Sequence, residues 1–240
     1  MTASLFLALT ISVQPMVRRL FAITSLMATT ALAAQDTTIY KRKLLTPQLY
    51  WDYGKTATLW TNFEKKTEIG AGVLLFERID LSAEYGLATL NPRNAFENID
   101  YTAKGSYFRL GIGYLASIDP RNKLGLEARY AFANYQDSGD IVYATTSGYN
   151  TDYQRNFSRE DFEATWTEIN LVSQRYLTLI KSTPEHWANR LLSIGLKIRY
   201  RMLISSSKTE TIPPIYAIPG YGRAESNNLT ALNFFIRATL

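Results

Sequence analysis

The chain of 240 residues contains no cysteine. Disulfides, thiolate metal centres and a lipidated N-terminal cysteine are therefore excluded. It has one histidine, His186. With cysteine absent as well, the usual transition-metal ligand sets cannot be assembled. Beyond residue 34 there is no apolar run of the ~20 residues that a membrane-spanning helix needs. Charge of one sign is not concentrated either. The net charge is +5, and most basic residues sit singly in alternating patterns, without the basic face that nucleic-acid binding requires. No nucleic-acid partner and no cofactor are expected.

What is present begins with an address. Residues 1–34 read as a cleavable signal peptide. Arg18 and Arg19 form its charged start, Leu20 to Leu32 its apolar core, and Ala31-Leu32-Ala33 a small-residue cleavage site. Met16 is the better start, since the stretch before it has no basic residue. The apolar core is too short and too diluted by Thr and Ser for a spanning helix. The +5 falls to +3 once Arg18 and Arg19 are removed, because residues 1–34 hold no Asp or Glu. Residues 35–46, with Lys41-Arg42-Lys43, read as a periplasmic arm, and residues 47–240 as the folded domain.

From there the chain alternates with period two, the signature of strands whose side chains point to opposite faces. Residues 106–118 put Phe108, Leu110, Ile112, Tyr114, Ala116 and Ile118 on one face and Tyr107, Arg109, Gly111 and Gly113 on the other. Residues 123–135, 192–204 and 232–240 repeat the pattern, and 48–60, 67–76 and 79–89 repeat it less cleanly. Residues 161–176 start in phase with Phe162, Ala164 and Trp166, then slip to Ile169 and Leu171. A β-bulge near Thr167-Glu168 accounts for the slip.

Eight strands of this kind, with short turns at 77–78, 118–122 and 180–188 and longer loops at 61–66, 90–105, 137–158 and 205–228, match an antiparallel transmembrane β-barrel. Starting in the periplasm puts the short turns there and the long loops outside. The polar face would then line a narrow lumen, filled by side chains in a barrel of eight strands. The candidate lumen charge network is Glu84, Arg109, Glu127, Arg129, Lys197, Arg199, Arg201 and Arg237, with Glu163 as a further partner. Aromatics near strand ends, Tyr50, Trp51, Trp60, Tyr85, Tyr107, Trp166, Tyr176, Trp187 and Tyr200, suit the girdles of such barrels.

Chemistry is thin. Barrel enzymes of the outer membrane work through histidine, and His186 falls in a short turn beside Trp187, at the end opposite the long loops. No catalytic residue is assigned. Asp137-Ser138-Gly139-Asp140 matches no defined calcium loop and reads as an ordinary turn. The most distinctive segment is 216–223. Its residues Tyr216, Ile218, Pro219, Gly220, Tyr221 and Arg223 form a candidate interaction site, because Tyr and Arg anchor interfaces. The same Gly, Pro and Tyr also suit a loop that folds back into the barrel mouth.

That segment, with residues 45–55 (LTPQLYWDYGK) and Phe63-Glu64-Lys65-Lys66, resembles a family of bacterial outer-membrane barrel proteins without an assigned function. The resemblance implies a barrel and brings no activity or site. In architecture the chain is similar to OmpA/OmpX-type small barrels, a fold analogy only. The expectation is a structural or interaction role, as an accessory subunit, in adhesion or in envelope integrity. A narrow pore stands second and a lipid-modifying enzyme third. The partners expected are outer-membrane lipid and lipopolysaccharide, the barrel-assembly machinery during insertion, and an outer-membrane protein.

Overall fold

The computed structural model describes residues 44–92, 95–143, 153–181 and 186–240. The signal peptide expected over 1–34 and residues 35–43 of the expected arm lie outside the described residues, while Leu45 and Thr46, read as the end of that arm, already belong to the first strand. Eight antiparallel strands close into a barrel. They are β1 (Leu45–Asp52), β2 (Glu64–Leu75), β3 (Ile79–Leu90), β4 (Ile99–Ser117), β5 (Asn122–Tyr143), β6 (Tyr153–Tyr176), β7 (Leu192–Ser206) and β10 (Asn228–Thr239). Each pairs with its neighbour in sequence, except that a small hairpin, β8 (Ala217–Ile218) and β9 (Gly222–Arg223), lies between β7 and β10. The ring closes where β1 meets β10, from Gln48 opposite Thr239 to Asp52 opposite Phe235.

Period two sets which residues meet inside. Along β5, Lys123, Glu127, Arg129, Ala131, Ala133 and Tyr135 are buried, while Leu124, Leu126, Tyr130 and Phe132 are exposed. The same inversion holds around the ring: charged residues go inward and aliphatic ones outward. A narrow lumen also needs its volumes matched across strands. Tyr50 faces Gly70, Tyr107 faces Gly86 and Phe235 faces Gly195 in register. A Cβ at Gly70 would lie 2.0 Å from the Tyr50 ring, and one at Gly86 would lie 2.1 Å from that of Tyr107. These glycines let an aromatic ring lie flat on the neighbouring strand.

The first strand is shorter than its alternation suggests. The Asp52 carboxylate accepts from the Lys55 amide at 2.9 Å and caps the short helix α1 (Tyr53–Ala57), which runs on into a 3-10 turn, Thr58–Trp60. Ala57 and Leu59 thus leave the strand.

Strand β6 does not slip at Thr167-Glu168. Ala164, Trp166, Glu168, Asn170 and Val172 form one unbroken buried row. Trp166 is an inward residue, and placing it outward produced the apparent slip. The register shifts lie elsewhere. Ile204 is the extra residue on β7 opposite Thr165/Trp166, and Gln136 on β5 faces the pair Glu160-Asp161 on β6. Asp161 takes φ 61° there.

Strands β4, β5 and β6 run to 19, 22 and 24 residues, against 8 to 15 for the other strands of the ring. Their extra length lies at the loop end, where β5 and β6 stay paired up to Tyr143 opposite Tyr153. Asp137-Ser138-Gly139-Asp140 is therefore strand, not turn. Asp137 is buried, bonded to Arg159 at 2.6 Å and accepting from the Tyr101 hydroxyl at 3.0 Å.

Candidate functional site

The lumen is filled in three layers. Toward the turn end Leu74, Leu115, Val172 and Phe235 form an apolar cluster among buried polar side chains that include Thr46, Asp80, Lys123, Gln174 and Ser193. The middle layer is ionic. Arg109, fully buried, donates to Glu168 Oε1 at 2.9 Å, to Glu84 at 3.3 Å and to Glu68. Arg199 bridges Glu84 at 3.1 Å and Glu68 at 3.0 Å. Arg129 pairs with Glu84 and with Glu127 at 2.8 Å. Lys197 lies 3.4 Å from Glu84 and 3.3 Å from Glu127, and Arg201 lies 3.5 Å from Glu168. Arg237 pairs with Asp80 at 3.0 Å and donates to Gln48 at 3.0 Å.

All eight residues of the expected network thus meet inside, supplied by β3, β4, β5, β7 and β10. Carboxylates taken out of water are stable only when their oxygens are matched by cations and donors, and alternation delivers both signs to the same level. Glu163 does not join them: it is exposed on the outer face of β6. Its place is taken by Glu168, which bridges several of the cations together with Glu68, a residue that alternation along the second strand already puts on the polar face. Glu168 could have been found by carrying the inward phase of β6 through Trp166. Asp80, Lys55 and Asp52 complete the set.

Lys55 reaches in from α1, pairing with Glu68 and lying 3.8 Å from Asp52. Burial pushes its ammonium down to about 7, against the pull of Glu68 and with the help of the Arg109 and Arg199 guanidiniums. Helix α1 is thus tied into the ionic layer.

The third layer fills the mouth. The β8–β9 hairpin folds into the barrel, with Gly220 at φ 81° in its turn. Arg109 donates to the Gly220 carbonyl at 2.9 Å, and Arg201 donates to the carbonyl of Tyr221. Tyr221 meets Trp166 edge-on, with ring centroids 5.7 Å apart. Trp166 in turn donates to Glu168 at 2.8 Å, and the Tyr107 hydroxyl donates to Glu68 at 2.7 Å. Ile215, Ala217, Ile218 and Tyr221 share one apolar cluster with Tyr101, Tyr107, Ala133 and Trp166.

Of the two uses open to segment 216–223, the plug is the one observed. Ile218, Pro219, Gly220 and Tyr221 are buried. Only Arg223 is exposed, resting on Tyr216, which packs edge-on against Phe96 at 5.6 Å. Aromatic residues divide the same way. Trp51, Trp60, Tyr85, Trp187 and Tyr200 face outward, whereas Tyr50, Tyr107, Trp166 and Tyr176 line the lumen. His186 accepts from the Ala188 amide at 3.2 Å and stacks near Trp187, capping the 3-10 helix Trp187–Arg190 at the turn end. Among the described residues no cluster of three or more acidic or histidine side chains is arranged to hold a metal ion.

No curated protein matches the chain. Among solved structures, the N-terminal β-barrel domain of Pseudomonas aeruginosa OprF is similar at 8% identity and a TM-score of 0.39, covering 82% of this chain and 96% of that one. The family model described as a domain of unknown function, DUF6048, matches residues 7–238, and the chain belongs to that family.

Proposed function

We propose that this protein is an occluded β-barrel of the bacterial outer membrane, whose role is structural or interactive and is exercised at its surface and loop-end rim. One observation carries the reading: the closed ring is inside out relative to a water-soluble barrel. Ion pairs fill its interior, while Leu49, Ile69, Leu110, Ile112, Tyr130, Ile198 and Leu232, all exposed by between 46 and 58%, circle its exterior. A contiguous apolar surface of this extent on a soluble monomer is a liability, and facing lipid it is a requirement.

Its height agrees. From Phe108 on β4 to Ile118 just past its end the outward residues are apolar, and the ten steps between them at ~3.4 Å each, tilted ~40°, rise about 26 Å, close to the ~25 Å apolar band of such barrels. The signal peptide expected over 1–34 supplies the route. Placing the short turns in the periplasm and the long loops outside follows the usual asymmetry.

Three stacked layers of occlusion weigh against the pore. The place of His186, capping a 3-10 helix at the end opposite the long loops, weighs against a barrel enzyme using it as a base. The test is cell fractionation with a heat-shift gel, followed by reconstitution in planar bilayers. A boiling-sensitive species in the outer-membrane fraction that passes no steady current supports the reading. Recovery in the soluble fraction, or ohmic single-channel steps, overturns it.

A further inference from the structure

The outer wall is not uniformly apolar. At the loop-end margin of the apolar belt, strands β2 to β5 carry one cross-strand row of polar side chains in register: Lys65, Thr89, Lys104 and Gln136. The next row toward the turn end is Thr67, Leu87, Ser106 and Asn134, and the one below it is Ile69, Tyr85, Phe108 and Phe132. The short hydroxyl side chains between the longer ones leave a groove of ≈ 670 Å³ in the wall. Leu59 bounds it on one side and Glu160 and Asp161 on the other, and its floor includes Ala88 and Gly105. Lys65 and Lys104 are exposed, and neither has a carboxylate within ion-pair distance among the described residues.

We infer that this groove binds the phosphorylated headgroup of a membrane lipid, with Lys65 and Lys104 on the phosphate, Thr67, Thr89 and Ser106 as hydroxyl donors, and the acyl chains descending over Leu87, Tyr85 and Phe108. Two ammonium groups on strands two places apart, about 10 Å between their backbones, converge on one phosphate or take two phosphates of one headgroup. The two lysines, set among the hydroxyls of Thr67, Thr89 and Ser106, point to an anion at the β2–β4 side of the groove. Continuity with the apolar belt points to a lipid rather than a free ion: the groove opens directly onto the surface along which acyl chains would run. The acidic pair Glu160-Asp161 lies across Gln136 from Lys104, so the anion is placed at the Lys65 side of the groove, between the two lysines.

The inference rests on the membrane placement proposed above, and the experiment separates the two. The full chain is reconstituted in nanodiscs, and its co-purifying lipid is counted by native mass spectrometry. The probes are a bisphosphorylated glycolipid, the same glycolipid without its phosphates, and inorganic phosphate alone. Wild type should retain the phosphorylated lipid over the other two. K65Q/K104Q should lose that preference by about thirtyfold, taking each lysine near an anionic lipid at its usual worth, while K65R/K104R keeps it. All variants must show the same heat-shifted folded band. Insertion with equal retention of phosphorylated and dephosphorylated lipid overturns this inference alone, as does retention unchanged in K65Q/K104Q or saturable binding of inorganic phosphate. Failure of wild type to insert overturns both readings.

Discussion

How completely the lumen side chains are shielded from water is tested most sharply at Arg109. Its guanidinium is fully buried, is bonded to three carboxylates and the Gly220 carbonyl, and lies 4.4 Å from the Tyr107 ring centroid. Arg109→Met keeps most of the stem volume and removes the charge. The six carboxylates of the ionic layer (Asp52, Glu68, Asp80, Glu84, Glu127, Glu168) then face six cations (Lys55, Arg129, Lys197, Arg199, Arg201, Arg237) instead of seven, and Glu168 loses its closest cation. Breaking one partner out of a buried pair costs ~3–5 kcal/mol, because the remaining charge cannot be solvated. The Gly220 carbonyl loses its donor as well, at about 1 kcal/mol. The expected loss is therefore about 4–6 kcal/mol by the same principles. Urea unfolding in lipid vesicles reads it directly, followed by tryptophan emission. Arg109→Met combined with Glu168→Gln should recover part of the loss, since the charge closest to Arg109 goes with it. A single-variant cost below about 1 kcal/mol, typical of a solvated pair, would refute the reasoning: water would then reach the network, and the barrel would be a wet channel.

Other outcomes follow from the same layers. Gly220→Val places a Cβ 2.4 Å from the Tyr107 ring, at φ 81°. It should expel the hairpin at a cost of about 2–3 kcal/mol, seen as lost hydrogen-exchange protection at Ile218 and Tyr221 with the barrel amides unchanged. Replacing 216–223 by a Gly/Ser linker should still give no steady conductance, because the ionic layer beneath stays paired; ohmic steps in that variant would locate the seal in the hairpin alone. Leu110→Arg at the middle of the outer belt should cost about 2–4 kcal/mol in vesicles, whereas Asp140→Arg, exposed on the β5 extension, should change stability by less than about 0.5 kcal/mol. Lys55 titrates near 7 when folded and well above that when unfolded. The unfolded chain thus binds more protons across that window, so stability should rise with pH above about 7 and level off near 10, and Lys55→Met should flatten the rise.

Most of the barrel was legible because two alternations reinforce each other. In residues 124–132 and 192–202 every other residue is aliphatic or aromatic and the rest are charged or small, so phase and face follow together. Legibility ended where a residue's chemistry ran against its face. Trp166, Tyr107 and Tyr50 look like girdle residues by type. Each lies inside because its hydroxyl or indole nitrogen has a buried acceptor in Glu168, Glu68 or the Ala83 carbonyl. Trp166 read outward moved Glu168 out of the network and let Glu163 in. The end of β1 was hidden for another reason: Asp52 sits in a stretch whose apolar spacing continues, and only its carboxylate on the Lys55 amide stops the strand. The fold-back of 216–223 could not be separated from an exposed loop by composition, since Arg109 and Trp166, the groups that hold it, are remote in sequence.

The interior arrangement answers a question that the exterior leaves open, which is why this barrel has one register. Outward residues are nearly interchangeable aliphatics, so sliding β7 along β10 by two residues would cost little on the proposed lipid face. Inside, the same slip is prohibitive. It takes Phe235 off Gly195, where any side chain larger than hydrogen would meet the ring within about 2.2 Å, and moves Lys197 and Arg199 away from Glu84. Sliding by one residue is worse, since it turns every inward charge of a strand toward lipid. Ion pairs and glycine–aromatic pairs thus act as a two-part key for strand order and shear. That use of charge needs the pairs to be dry and closed, the opposite of what a selectivity filter needs, where charges must stay accessible to a passing ion. On the proposed reading, a lumen given over to register leaves the outer wall and the rim for recognition. The surfaces on which this protein differs from a bare barrel are accordingly the lysine-lined groove and the β4–β6 extension, and variants there should alter its associations while leaving its heat-shifted folded band in place.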